Sequence, residues 1–329
     1  QDFKSKVKAK AYRTAERNGL IWVYMGDRDQ LPGLPSIEAN LIPDSRIWCL
    51  QRSCNWLQAL EGDIDTAHVG FLHAGALTPD DLDEDHPMRP TVLNRAPEYR
   101  VTDADWGTMY GAYRPNDDGR MSWRVAHFMF PFWTQTPNIR FATRAVARAW
   151  MPMDDTHVML FDITGGVDEG NPAYSTRKDG RPLFGGPIPY APNTSGWFGR
   201  WCVRDGEETD WGINREAQRS NLHYSGIGNV SMQDQAVTES MGPISDHEFE
   251  HLSPSDIMIT RTRRRLLFAA RAWRDKGVNP DGVDDPAVFF QARSGSYLHE
   301  PLADWSEAYR QQLQQAVRWP QPNGAQIAR

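Results

Sequence analysis

The region from residue 98 to residue 164 constrains the fold more than any other part of the sequence. It is rich in aromatic and β-branched residues, which favour strands, and turn sequences such as NDDG and PMDDTH interrupt it. The strand-like stretches read TMYGAYRP, SWRVAHFMFPF, IRFATRAVARAWM and HVMLFDIT. Because they follow one another at hairpin distances, they predict a curved antiparallel sheet.

The rest of the chain adds helices and connections to this sheet. Helical patterns cover MQDQAVTESM, residues 255–276 before Gly277, and ADWSEAYRQQLQQAV near the C-terminus. Asn18-Gly19 predicts a hairpin between two strand-like runs, and the proline-containing stretch 31–43 predicts a linker. Residues 166–209 are rich in Gly, Pro and Asn and predict a long covering loop. A sheet with helices at one side is an α+β fold.

Charge, hydropathy and cysteine content exclude several classes of protein. Lys and Arg total 36 against 43 Asp and Glu, a net charge of −7, and no long basic run is present to bind nucleic acid. The apolar runs are shorter than the roughly 20 residues that span a bilayer, and no signal peptide is evident. Cys49, Cys54 and Cys202 show no C-x-x-C spacing, which predicts a reducing, cytoplasmic location.

The stretch EGDIDTAHVGFLH contains the most informative histidines. His68 and His73 are five residues apart, about 140° around a regular helix, so an undistorted helix would not direct both at one ion. The apolar spacing of residues 56–64 predicts that the pair lies near the C-terminal part of a helix. A local widening between Val69 and Leu72, made easier by Gly70, would bring the two imidazoles together.

A metal site would need a third ligand, since an isolated pair at this spacing is usually a hydrogen-bonded feature. Two histidines and one carboxylate on one side of an ion are typical of non-haem Fe(II) oxygenases. Asp234 lies in a semi-apolar helical pattern, where a carboxylate is costly to bury unless it is paired or bound to a cation. Glu239 and Asp246 are the alternative third ligands.

Two stretches together carry a family resemblance: CNWLQALEGDIDTAHVGFLHAG, and QDQAVTESMGPISDHEFEHLSPSDIMITRTRRRLL. They resemble the catalytic domain of the Rieske non-haem iron aromatic-ring oxygenases, in the branch of phthalate dioxygenase and the aromatic O-demethylases. The resemblance implies a helix-grip domain over residues 46–329, a large antiparallel sheet folded around a long helix. It also implies that His68, His73 and Asp234 bind a mononuclear Fe(II), and that Asp65 bridges to a histidine at a neighbouring subunit's Rieske cluster.

The same resemblance implies a terminal oxygenase component that receives electrons from a reductase. It would use O2 to oxygenate an aromatic carboxylate, by ring dihydroxylation or O-demethylation, and would form a head-to-tail homotrimer. The C-x-H and C-x-x-H pairs that hold the [2Fe–2S] cluster in this family do not occur here. We therefore expect residues 1–45 to be the C-terminal remnant of a Rieske domain plus a linker, and the cluster to belong to the full-length protein but not to this chain.

Aromatic residues and arginines on the predicted strands suggest a substrate site. Aromatic side chains stack on a ring and an inward arginine clamps a carboxylate, so we predict an aromatic-lined interior in which Phe130, Arg124 and Arg140 contact the substrate. The basic run 261–267 predicts an exposed helix face or a partner surface. Glu61 and Asp63 are expected to be solvated or to serve packing.

Two other functions remain compatible with parts of the pattern. A non-catalytic helix-grip protein could carry hydrophobic ligands, although a carrier has no use for metal ligands. A zinc hydrolase could use the same two histidines and aspartate. It would need a general base near the metal-bound water, and no acid of the H-E-x-x-H type neighbours either histidine.

Overall fold

An eight-stranded antiparallel sheet forms the centre of the protein in a computed structural model that describes residues 3–84, 86, 88–167, 176–183, 187–301 and 304–319. The strands are β1 Arg13–Arg17, β2 Leu20–Tyr24, β3 Arg46–Arg52, β4 Glu98–Ala104, β5 Gly107–Pro115, β6 Met121–Met129, β7 Trp133–Gln135, β8 Arg144–Pro152, β9 Val158–Gly166 and β10 Gly295–His299. Strands β1 and β2 form the predicted N-terminal hairpin, and the large sheet has the order β3-β9-β8-β7-β6-β5-β4, with β10 also paired to β6.

The predicted strands are present, but several are shorter than expected. Residues 139–143 were expected to begin a strand, but they form a turn that reverses the chain between β7 and β8. Within this turn the backbone N–H groups of Thr143 and Arg144 both donate to the carbonyl of Arg140. The ring of Phe141 is fully buried in the core, which holds the turn in place.

Seven α-helices surround the sheet within the described residues. They are α1 Glu38–Leu41, α2 Trp56–Glu61, α3 Arg89–Leu93, α4 Arg215–Arg219, α5 Val230–Ser240, α6 Ile257–Lys276 and α7 Trp305–Gln315. The three helices predicted in the last third correspond to α5, α6 and α7. Asn229 caps α5 with its side chain, and Gly277 ends α6 at a φ of 64°, a conformation that favours glycine. None of the helices described is both long enough and apolar enough to cross a bilayer.

Alternating side chains along the strands create two cores, one on each face of the sheet. On β6, Val125 and Met129 point into the first core, whereas Ala126 and Phe128 point into the second. The first core is closed by α1, the hairpin and α7; the second is closed by α2, α5 and α6. The large antiparallel sheet with flanking helices confirms the predicted α+β class.

The stretch 31–43 is not the exposed linker that its prolines suggested. It contains α1, whose Glu38 is fully buried between Arg293 and Arg318, each 2.9 Å away. The hairpin packs on the same core through Trp22, which stacks on Trp133 with ring centroids 6.0 Å apart. A division at residue 45 into a Rieske-domain remnant and a catalytic domain stays a prediction.

The described parts of the covering loop lie along the edge of the sheet. Residues 168–175 and 184–186 of the predicted loop fall outside the described residues. The backbone N–H of Gln51 on the edge strand β3 donates to the carbonyl of Trp201 at 2.9 Å, and the Tyr190 hydroxyl donates to the carbonyl of Cys49 at 2.6 Å. This part of the loop therefore satisfies the edge strand, which would otherwise present unpaired backbone groups.

The basic run in α6 ties the helix to the rest of the protein. Arg263 pairs with Glu61 at 2.5 Å and with Glu250 at 2.6 Å, and Arg261 pairs with Asp103 at 2.8 Å. Arg265 also donates to the backbone carbonyls of Ala104 at the end of β4 and Gly107 at the start of β5. The run is therefore not simply an exposed face, and Glu61 is a buried ion-pair partner rather than a solvated residue.

Candidate metal centre

Asp65 breaks the helix that the sequence predicted to run up to the histidines. After α2 and a 3₁₀ turn at Gly62–Ile64, the backbone of Asp65 is extended, with φ −107° and ψ 122°. Its carboxylate accepts hydrogen bonds from the backbone N–H groups of Ala67 at 2.8 Å and His68 at 3.0 Å. Asp65 therefore directly follows the 3₁₀ turn and caps the start of the next helical segment, where a negative charge is favourable.

The predicted widening between the histidines is confirmed. Val69–His73 is a π-helical turn, in which the N–H of Ala74 donates to the carbonyl of Val69 at 2.9 Å, five residues back. The Nε2 atoms of His68 and His73 are consequently 3.1 Å apart. Glycine at position 70 allows the turn to pack closely on Arg95, because a Cβ there would approach atoms of Arg95 to 3.0 Å.

Helix α5 brings Asp234 to the two histidines. Its Oδ1 atom lies 3.1 Å from Nε2 of His73 and 3.7 Å from Nε2 of His68. The alternative ligands are engaged elsewhere: Glu239 accepts hydrogen bonds from the backbone of Ser53 and the indole of Trp211, and Asp246 caps the exposed turn His247–Phe249. Of the three carboxylates considered, only Asp234 joins the histidines in a cluster whose ligand atoms lie within 4.8 Å of one another.

In both imidazoles the Nδ1 atom, on the side of the ring away from the cluster, has a hydrogen-bond acceptor. This acceptor defines which ring nitrogen carries the proton. Nδ1–H of His68 donates to Oδ2 of Asp65 at 2.9 Å, and Nδ1–H of His73 donates to Oε1 of Gln233 at 2.6 Å. The Gln233 amide N–H groups donate in turn to the carbonyl of Ile227 at 2.6 Å, so Oε1 must be the acceptor. Both Nε2 lone pairs therefore face Asp234. Gln233 was not predicted, although its position next to Asp234 in a buried helix was a usable signal.

The charges around this cluster favour a bound cation. Burial opposes ionisation of Asp234, but His73 and His68 outweigh it and hold the pKa of this carboxyl well below its usual range. Burial also opposes ionisation of Asp65, but hydrogen bonds from His68 and the backbone lower its pKa overall. Burial lowers the pKa of His68, yet the two carboxylates raise it overall. The cluster thus attracts positive charge.

The spacing of the three ligand atoms fits a metal ion. Adjacent ligands at bond lengths of about 2.1 Å and right angles are about 3.0 Å apart, close to the 3.1, 3.1 and 3.7 Å found here. Two imidazole nitrogens and one carboxylate oxygen form the facial donor set that suits non-haem Fe(II). The residues present therefore fit such an ion.

A cavity of about 300 Å³ adjoins the cluster, a size suited to a small organic molecule. Its wall includes the three clustered side chains, together with Arg124 and Arg148 from the sheet. Arg124 donates from Nε to the hydroxyl of Thr66 at 2.8 Å and from Nη2 to Oδ1 of Asn138 at 2.7 Å. Of the three predicted substrate contacts, Arg124 lies in this wall.

The aromatic lining expected from the sequence is wrong for this cavity. Within the described residues its wall contains no aromatic side chain other than the two histidines. Phe130 is buried in the second core, in edge contact with Phe128 at a centroid distance of 5.2 Å. Arg140 lies in the turn before β8, bridged to the backbone of Ser296, and is outside the cavity wall. These aromatic rings fill the space between the sheet and the helices instead.

Asp63 anchors a buried polar network beside the cavity. It accepts hydrogen bonds from Arg148 at 2.5 Å, the indole of Trp150 at 2.7 Å and the hydroxyl of Thr134 at 2.7 Å. Arg148 also pairs with Asp162 at 2.7 Å. Burial lowers the pKa of Arg148, but the two carboxylates raise it overall, so its charge is retained and offset. The sequence did not predict this network, since its members come from separate strands and a turn.

Comparison with known proteins assigns the chain to a family. The family described as LigXa C-terminal domain like matches residues 23–317. The chain belongs to this family of Rieske-type aromatic-ring oxygenases. It is 43% identical over 322 residues to the 3-chlorobenzoate-3,4-dioxygenase oxygenase subunit of Comamonas testosteroni, covering 96% of this chain and 74% of that protein.

Two further relatives agree with this assignment. The phthalate 4,5-dioxygenase oxygenase subunit of Pseudomonas putida is 29% identical over 322 residues, covering 92% of this chain and 68% of that protein. The 5,5'-dehydrodivanillate O-demethylase oxygenase subunit of Sphingobium sp. is 36% identical over 292 residues, covering 87% of this chain and 58% of that protein. These matches confirm the predicted resemblance and an oxidoreductase of this type. They do not support the carrier or the zinc hydrolase.

Proposed function

We propose that His68, His73 and Asp234 bind a mononuclear Fe(II) in the terminal oxygenase of a multicomponent system. The observation that carries this proposal is the convergence of two imidazole nitrogens and one carboxylate oxygen at the wall of a cavity. A ferrous ion would supply the activation of O2, which by itself reacts slowly with closed-shell organic molecules. The protein residues hold the imidazole rings in one orientation and admit the substrate beside them.

An aromatic carboxylate is the proposed substrate. Its carboxylate would bind the guanidinium of Arg124, which Thr66 and Asn138 hold in place. Arg148 is less suited to this role, because Asp63 and Asp162 already offset its charge. The similarity to the 3-chlorobenzoate and phthalate dioxygenase subunits supports this substrate class. Ring dihydroxylation is favoured over O-demethylation by the higher identity to the 3-chlorobenzoate relative.

Replacing Arg124 by glutamine is expected to raise KM for 3-chlorobenzoate or phthalate about tenfold or more, because a hydrogen bond to a charged group contributes about 1.5–3 kcal/mol. Steady-state O2 uptake by the complete oxygenase with its reductase measures the effect. Arg140→Gln is the matched control and should leave KM unchanged, since Arg140 lies outside the cavity wall. An unchanged KM in the Arg124 variant would remove the carboxylate clamp from the proposal.

Asp65 is proposed to connect this iron to a Rieske cluster of a neighbouring subunit. Its side chain is 17% exposed and already accepts a hydrogen bond from Nδ1–H of His68. A second donor from a partner histidine would complete a short path for electrons supplied by the reductase. A bridge of this kind requires a head-to-tail ring, so a homotrimer is part of the proposal, as is the cytoplasmic location. A monodisperse monomer of the complete oxygenase would contradict it.

The variant Asp65→Asn is expected to keep iron while losing reductase-coupled oxygenation by about 10- to 100-fold, the usual effect of removing an outer partner of a ligand. Iron content and coupled NADH and O2 consumption are measured on the complete oxygenase. Normal coupled turnover with full iron would refute the bridging role. Asp246→Asn serves as a control, because its carboxylate caps an exposed turn away from the cluster.

A further inference from the structure

We infer that Gln233 is the positioning residue for His73. We also infer that it makes the ligating nitrogens of the two imidazoles unequal in basicity toward a bound metal ion. This inference rests on the metal role proposed above for His68, His73 and Asp234. It concerns the outer nitrogen of His73, which the amide of Gln233 contacts at 2.6 Å. The residue acts through His73 and does not itself contact the cavity in which the substrate would bind.

The amide of Gln233 is locked in one orientation. Its side-chain nitrogen donates to the carbonyl of Ile227 at 2.6 Å, and the residue is 3% exposed. A flipped amide would direct its oxygen at the Ile227 carbonyl, a repulsive contact between two acceptors, so Oε1 is the atom that faces Nδ1 of His73. The observed orientation therefore requires the proton of neutral His73 to be on Nδ1 and leaves Nε2 free to bind a cation.

Helix α5 thus supports both sides of His73. Asp234 places its carboxylate 3.1 Å from Nε2, while the preceding residue, Gln233, holds Nδ1 at the opposite side of the ring. Gln233 also lines an open groove on the outer side of α5, together with Leu72 of the π-helical turn. Gln233 therefore borders this groove while its amide contacts Nδ1 of His73.

The two histidines have chemically different partners. His68 donates to the ionised carboxylate of Asp65, whereas His73 donates to a neutral amide. A carboxylate accepts the Nδ1 proton more strongly than an amide does, and this raises the basicity of the ligating nitrogen. His68 is consequently the stronger donor and His73 the weaker one. A carboxylate at position 233 would reduce this difference.

Three variants of the complete oxygenase test the inference. Gln233→Leu keeps the approximate shape but removes the acceptor, Gln233→Glu keeps an acceptor and adds charge, and Gln235→Leu is the control. Gln235 is buried in the same helix and donates to Glu239, which is not in the cluster. The Fe(II) dissociation constant is measured by competition with a chelator, the Co(II)-substituted site by visible absorption, and each metal-free variant by thermal unfolding.

We expect Gln233→Leu to weaken Fe(II) binding about 10- to 100-fold and Gln235→Leu to leave it unchanged. Gln233→Glu should bind more tightly than Gln233→Leu and should shift the Co(II) ligand-field bands from their wild-type positions. Wild-type affinity in a folded Gln233→Leu protein would overturn the inference. If that variant does not fold, Co(II) bands of the Glu variant identical to wild type would overturn it. A wild-type oxygenase that binds no Fe(II) would overturn the proposed function as well.

Discussion

Replacing Asp234 by alanine is expected to abolish iron retention and turnover while the protein remains folded. The carboxylate supplies the only negative charge among the three ligand atoms, and both imidazole nitrogens face it at 3.1 and 3.7 Å. Two neutral imidazoles alone would leave a ferrous ion with neither charge compensation nor a third protein ligand. Iron content after purification, together with circular dichroism of the variant, measures both parts of this expectation.

The matched control for this experiment is Asp246→Ala. Asp246 follows α5 in the same sequence region and was an alternative ligand, but it caps an exposed turn. The control variant should retain iron at the wild-type level. Stoichiometric iron in the Asp234 variant would mean that the third ligand is another residue.

Replacing Asp63 by alanine should have the largest effect on stability, about 3–5 kcal/mol, because it breaks a buried ion pair and removes the acceptor that three buried donors share. Asp63 is 9% exposed and accepts hydrogen bonds from Arg148, Trp150 and Thr134. Without it, Arg148 would keep only Asp162 as a carboxylate partner. The hydroxyl of Thr134 would lose its carboxylate acceptor, and the indole of Trp150 would keep only the Thr134 oxygen at 3.2 Å. The free energy of unfolding from urea denaturation measures this effect.

An exposed ion pair provides the comparison. Asp103 makes two hydrogen bonds to Arg261 at 2.8 Å, but both side chains are 46% exposed. Asp103→Ala should therefore cost less than about 1 kcal/mol. If the Asp63 variant loses no more stability than the Asp103 variant, the buried network does not stabilise the fold.

Local sequence patterns predicted the regular elements well, because the signals act over a few residues. Aromatic and β-branched stretches between turn sequences predicted β5, β6 and β9, and Asn-Gly predicted the hairpin between β1 and β2. Gly277 marked the end of α6 through a backbone conformation that favours glycine. The stretch 31–43 was misinterpreted, because its prolines resemble a linker while the burial of Glu38 depends on Arg293 and Arg318, more than 250 residues away.

Part of the metal cluster was also predicted from a local signal. The spacing of His68 and His73 already required a widened turn, and the π-helical turn provides it. The bond of Gln233 to His73 could not be read from the sequence, because it joins residues 160 positions apart. The expected aromatic lining was also wrong, since composition does not tell which strand residues face a cavity and which fill a core.

The sequence by itself determined the α+β class, the positions of the main strands and helices, and which side chains carry chemistry suited to iron. Only the tertiary structure decided that Asp234 rather than Glu239 or Asp246 meets the histidines, and that Arg124 rather than Arg140 borders the cavity. The physical reason is the separation along the chain over which each effect acts. Propensity and periodicity act between neighbours in the chain, whereas a binding site depends on distances between elements that only the packing of the whole sheet and its helices defines.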